Sequence, residues 1–229
     1  MDTSKLLQEL LETGQSLAEQ GQQWVEDKAG IPQDDGERQA ALESMGKGAL
    51  GAGVLAVLLG TGAGRRLTGS ALKLGSLAAL GGLAYKSFQN WQGVHSTKAV
   101  EQGSSIDQLE ETDAEGRSQI LMRAIIAAAK ADGHIDDEEL SNIQGKIAEL
   151  ELDGESSEFI KAELAKPLNA ADVAAGADSP TTAAEIYLVS CLLMGEQNAQ
   201  EKAYLHDLAQ RLGLKPTLVA ELERKMQNT

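Results

Sequence analysis

The sequence predicts an all-α protein: apolar residues recur at helical spacing, aromatics are scarce, and no stretch of useful length alternates as a half-buried strand does. Hydrophobic residues make up 42% of the 229 positions while aromatics make up only 3%. A core built from Leu, Ile and Ala suits packed helices better than sheets. The length allows one ordinary domain with attachments or two small ones. Acids outnumber bases 35 to 20, for a net charge of −15, which argues against a nucleic-acid partner. A single cysteine excludes an internal disulfide framework and a Cys-rich zinc site.

Charge divides the chain into three zones. Residues 1–46 carry ten acids and three bases; residues 99–229 carry twenty-five acids and eleven bases. Between them, residues 47–98 carry Lys47, Arg65, Arg66, Lys73, Lys86 and Lys98 and no carboxylate. The middle zone is therefore expected to face a different environment from its neighbours.

The first zone, 1–46, reads as an acidic amphipathic helix and a linker. Leu6, Leu7, Leu10, Leu11, Leu17 and Trp24 recur at roughly helical spacing, before Gly30, Pro32 and Asp34-Asp35-Gly36 break the pattern. The opening residues hold Asp2 and Glu9 and lack the apolar stretch of a secretory signal.

Residues 47–92 form a Gly/Ala-rich hydrophobic helical segment, a candidate membrane anchor. The run 48–64 is uncharged, and the run 67–85 is interrupted only by Lys73. Gly48, Ala52, Ala56, Gly60 and Gly64 give a ridge of small residues, continued in the second run by Ala71, Gly75 and Ala79. In water each such glycine costs a helix about 0.8–1 kcal/mol relative to Ala. In lipid the same residues let helices approach closely, so self-association through Gly48, Ala52, Ala56, Gly60, Gly64 and Gly75 is expected. Seventeen residues rise about 25 Å, just short of a hydrocarbon core of roughly 30 Å. Tyr85, Phe88 and Trp91 cluster as an interfacial anchor does. The alternative is a Gly/Ala-rich hairpin packed within a soluble oligomer. A single span through 48–64 leaves Arg65, Arg66, Lys73 and Lys86 on the cytoplasmic side.

Residues 93–113 are polar and aperiodic, and read as a linker. From 114 to 229 the helix signals are regular. Thr112 and Glu115 suggest a capping box for a helix with Ile120, Leu121, Ala124, Ile125 and Ala128 on one face. A second helix starts near Asp136. Ser156 or Ser157 caps a third that stops at Pro167, and Asn169 caps a short fourth. Pro180 opens a fifth, apolar nearly all round and so expected at the centre. Asn198 and Glu201 open a sixth that closes near Gly213, and Pro216 starts a seventh. A loose repeat at an offset of 62 aligns Ile125, Glu139 and Ile143 with Tyr187, Glu201 and Leu205.

One loop carries a cluster of hard ligands. Asp132, Asp136 and Glu139 surround a glycine turn, with His134 between them. Clustered carboxylates suit Ca²⁺ or Mg²⁺, although the spacing is not that of an EF-hand, whose twelfth position falls here on Ile143. The same residues also serve as a glycine turn with Asp capping the next helix.

The segment ADGHIDDEE, with IYLVSCLLM and EKAYLHDLAQRLGL further on, resembles the TerB-like, tellurite-resistance-associated superfamily. More closely, it is similar to the YebE-like family of proteobacterial inner-membrane proteins of unknown function. The resemblance implies a C-terminal TerB-like helical bundle, preceded by a Gly/Ala-rich membrane-associated segment. It places Asp132, Asp136 and Glu139 on the family's first acidic turn and Glu201 on the glutamate of the second, as candidate metal ligands. Gly195-Glu196-Gln197 stands where relatives carry aspartates, which reduces the acid count there.

Catalysis is not expected. Cys191 sits inside an apolar helix, and His95, His134 and His206 lack ligand spacing. Residues 60–66 lack the Lys-Ser/Thr of a phosphate loop. The expectation is a non-enzymatic interaction module at the bacterial inner membrane, with its acidic helical domain in the cytoplasm and a protein partner or a second copy bound. The alternative is a soluble cytoplasmic sensor or stress-response protein that binds a divalent cation at 132–139.

Overall fold

The computed structural model describes residues 3–8, 11, 76–95, 101–131, 154–192 and 199–227. The described residues are helical, with no strand among them. They comprise an N-terminal helical segment at 3–8 and the helices α1 (Leu77–His95), α2 (Glu111–Lys130), α3 (Gly154–Ala165), α4 (Ala170–Ala174), α5 (Pro180–Leu192), α6 (Ala199–Arg211) and α7 (Pro216–Gln227). A 3₁₀ turn, Ile106–Gln108, lies between α1 and α2.

Helix α5 is the axis of the bundle. Every residue from Thr181 to Leu192 is buried, as a run after Glu185 that is apolar but for Ser190 requires. Helices α1, α2, α6 and α7 all pack on it. Leu80 and Ala84 of α1, Leu121 and Ile125 of α2, and Leu208 and Leu222 of α6 and α7 complete the core. Ile160 and Leu164 bring α3 against α2. Fully burying a Leu or Ile side chain contributes about 1.5–3 kcal/mol, so this aliphatic core carries the bundle with few aromatics.

Several helix ends fall where the sequence places them. Asn169 accepts the Ala171 N–H at 3.0 Å and starts α4. Pro180 and Pro216 occupy the first positions of α5 and α7, where the missing N–H costs nothing. Helix α6 closes with Leu214 N–H on the Ala209 carbonyl and Gly213 N–H on that of Gln210.

Other expectations are corrected. The Thr112–Glu115 capping box does not form: α2 begins at Glu111, its N-cap is Glu110, and no side chain caps it. Glu115 instead receives the backbone N–H groups of Thr3 and Ser4, each at 3.0 Å, and so caps a helical segment 111 residues away. Helix α3 starts at Gly154, which places Ser156 and Ser157 inside it rather than at its cap.

The stretch expected as a linker, 93–113, is tied into the fold by Ile106, which is buried. The boundary expected at residue 92 falls within α1. That helix draws the end of the second Gly/Ala-rich run into the bundle, because Leu80, Ala84 and Phe88 repeat at four-residue intervals against α5 and α7. Phe88 and Trp91, expected as an interfacial anchor, pack there too: their rings lie 5.9 Å apart, and Trp91 Nε1 donates to Thr217 Oγ1 at 2.8 Å. Among the described residues no helix is long and apolar enough to cross a membrane.

Candidate functional sites: a buried polar node and an open groove

The most constrained polar cluster lies where α1, α2, α5 and the segment after α1 converge. Glu185 is wholly buried in the second turn of α5. Its Oε2 accepts from Arg117 Nη1 of α2 at 2.7 Å, and its Oε1 accepts from the Ile106 N–H at 2.9 Å. Arg117, itself buried, reaches Asp178 with Nη2 at 3.1 and 3.3 Å. Gly81 permits this convergence. A Cβ there would stand 2.9 Å from Asp107 Oδ1 and 3.2 Å from Glu185 Oε1.

The segment preceding the 3₁₀ turn supplies the start of α5. Thr181 N–H donates to the Gln102 carbonyl at 3.1 Å, and Thr181 Oγ1 to that of Gly103 at 3.3 Å. Ser179 Oγ accepts the Thr182 N–H at 3.2 Å, so the orphan donors of a buried helix end are satisfied. Gly103 has φ +75°, and a Cβ at that position would overlap Ser179 Cβ. Only glycine fits both the conformation and the space.

Burial pushes the Glu185 carboxyl up, against the pull of the Ile106 N–H and of Arg117. Partial burial also works to raise Asp178, but the Thr182 hydroxyl and Arg117 outweigh it and hold that carboxyl below the usual range. With both Glu185 oxygens engaged, the node fastens helices; it offers no free base.

A second cluster joins α2 to the end of α3. Glu163 Oε1 lies 3.1 Å from Arg123 Nε and 2.6 Å from Lys166 Nζ. Lys130 Nζ donates to the carbonyls of Leu164 at 3.0 Å and of Lys166, as a cation at a helix C-terminus should. Burial lowers the Lys130 pKa; neighbouring Glu163 opposes this and Lys166 adds to it.

Tyr187 donates to Glu223 Oε1 at 2.7 Å and lies one turn before Cys191. Burial pushes both the phenol and the thiol up, so Cys191 stays protonated and is not an activated nucleophile.

Beside the polar node an open groove of about 400 Å³ runs between α1, the start of α5 and the α6–α7 turn. Phe88, Trp91, Ala183, Leu214 and Leu218 make its walls, with Lys215 at the edge. Its lining is mostly apolar.

The residues that the sequence singled out are distributed unevenly. Asp132, Asp136 and Glu139 lie outside the described residues, as do Gly48, Ala52, Ala56, Gly60, Gly64 and Gly75. Glu201 is described: it is buried in the first turn of α6, where a carboxylate complements the helix dipole. Among the described residues no three His, Cys, Asp or Glu side chains converge as a metal site. Sequence reasoning missed the Arg117–Glu185 pair. The signal was there, since a lone glutamate in a helix apolar on every face needs a buried cation.

These features define an all-helical protein whose described buried polar residues hold its helices together. The chain belongs to the family described as protein of unknown function (DUF533), which matches residues 44–226. It is also similar to a protein of Yersinia enterocolitica described as an uncharacterized protein in the ampR 5' region. The two are 28% identical over 96 residues, which cover 42% of this chain and 69% of that protein. No solved structure matches the chain.

Proposed function

We propose that this protein is a membrane-associated, non-enzymatic interaction module, with an acidic TerB-like helical bundle facing the bacterial cytoplasm. The observation that carries the reading is the zone 47–98, which has six bases and no carboxylate inside a chain of net charge −15. Its uncharged run 48–64 suits lipid, and its cations suit the anionic cytoplasmic leaflet. The bundle begins only thirteen residues after that run, at Leu77, so a membrane-held segment keeps the bundle at the surface. The engagement of Glu185, Arg117 and Glu163 in helix contacts supports a binding role over a catalytic one.

The test is fractionation with a high-pH carbonate wash, comparing the full chain with a deletion of residues 47–76. The deletion stops there because α1 is a core helix. The full chain should resist the wash and the deletion should stay in the supernatant. A full chain that washes off sinks the reading.

A divalent-cation sensor using the acidic turn at Asp132, Asp136 and Glu139 is the second reading. The feature in its favour is the sequence cluster of three carboxylates around a glycine turn. It predicts a melting temperature that rises with Ca²⁺ or Mg²⁺ and an Asp132→Ala variant without that response. Binding at a hundredfold excess over Kd adds about 2.7 kcal/mol, a shift readily seen.

A further inference from the structure

We infer that residues 3–11 are a detachable strap on a docking site of the bundle, and that the same residues of a second copy of this chain occupy that site by exchange. This gives the proposed interaction role a partner, and the membrane part of that proposal is not needed for it. Glu115 of α2 accepts the Thr3 and Ser4 N–H groups at 3.0 Å each. One turn further along α2, Ser118 Oγ lies 2.9 Å from Ser4 Oγ. Leu6, Leu7 and Leu11 are buried in the core cluster that contains Leu121 and Ile125 of α2, whereas Lys5 and Gln8 are exposed. Leucines at that spacing share one face of a helix, so the strap is an amphipathic helix start laid against the bundle.

Two features set the strap apart from the helices it touches. The first is its cap. A helix start leaves its first N–H groups without a partner inside the helix. Here the carboxylate of another helix receives them, so these donors are met by protein only while the strap is seated on α2. Helix α4, by contrast, is capped by its own Asn169. The second is its place in the chain. The matched family span, 44–226, includes α1 to α6 and leaves the strap out. A segment seated on one side of a bundle opens at a lower free energy than an enclosed helix such as α5. Opening frees the Glu115 carboxylate and the seats of the three leucines together. A second copy presents identical residues, so exchange replaces each contact it breaks. Concentration, rather than any new contact, then decides between the closed monomer and the exchanged dimer.

The experiment uses full chains with Cys191→Ala. Ser4→Cys is placed in one chain and Ser118→Cys in a second, differently tagged one, and the two are mixed under mild oxidation. The hydroxyl separation of 2.9 Å permits a disulfide after a small adjustment. Each exchange is trapped, so rare openings accumulate. We expect a mixed disulfide dimer, reduced severalfold when the Ser4→Cys chain also carries Leu7→Asp. A mixed dimer insensitive to Leu7→Asp is collisional and overturns the docking site. No mixed dimer, where a Ser4→Cys/Ser118→Cys chain closes internally, overturns the exchange. A folded double variant that forms no disulfide overturns the seat itself. Should the cysteine variants fail to fold, hydrogen exchange on the wild-type chain decides. Amides of residues 6–8 should exchange well before those of α5, and equal rates overturn the detachable strap.

Discussion

Glu115 and Glu185 do the same task in two surroundings, and the contrast shows what a carboxylate can hold together. Glu115 sits half-buried on α2 and takes two N–H groups from a helix start. Partial burial works to raise its pKa, but the N–H groups of Ser4 and Thr3 prevail and hold it below the usual range. Glu185 sits fully buried on α5 and also takes one N–H, yet burial prevails and its pKa rises despite Arg117. A cap at the edge of the core keeps its charge easily. A carboxylate at the centre keeps it only through a dedicated cation.

The largest expected effect breaks the central node. Glu185→Ala leaves Arg117 and the Ile106 N–H without their buried partner and should cost about 3–5 kcal/mol in urea unfolding. Arg117→Met with Glu185→Leu should recover most of that loss. If the double variant is as unstable as the single one, the charge pair is not what the node depends on.

Gly103→Ala tests the same node from its backbone side. A left-handed residue and a Cβ clash with Ser179 together should place the loss near the top of the roughly 1–3 kcal/mol range for such strain. A change within error would mean that the segment at 101–106 can leave α5 without consequence.

Glu115→Ala should be milder, about 1–2 kcal/mol, as for other lost helix caps. Its pH signature sets it apart from Glu185. A carboxyl whose folded pKa lies below its unfolded value stabilises the fold above the unfolded pKa, about 4.3 for Glu. That contribution disappears as pH falls through the folded pKa. Wild type should therefore lose more stability than Glu115→Gln on acidification from pH 5. Parallel melting curves for the two would contradict the cap.

What could be read from the sequence follows the range of the interaction. Asn169, Pro180, Gly213 and Pro216 act on their own helix ends, and their elements stand where local chemistry puts them. The central place of α5 was legible because its apolar residues leave no face for water. Thr112 and Glu115 satisfied a local rule, but Glu115 obeys a distant one: Thr3 and Ser4 present bare N–H groups that only a folded chain brings near. The polar composition of 93–113 hid its docking, because its hold on α5 is made by the Gln102 and Gly103 carbonyls and the Ile106 N–H, which composition cannot register. Trp91 and Phe88 read equally well as a membrane anchor or as core, and only their neighbours α5 and α7 decide.

The enclosure of α5 on every side also makes it a clock. An amide hydrogen in its middle turns can meet solvent deuterium only when α1, α2, α6 and α7 have come away. Local fraying serves the ends of α7, but α5 must wait for the whole assembly to open. Its slowest-exchanging amides should therefore report the global stability of the bundle directly, in the full chain and without denaturant.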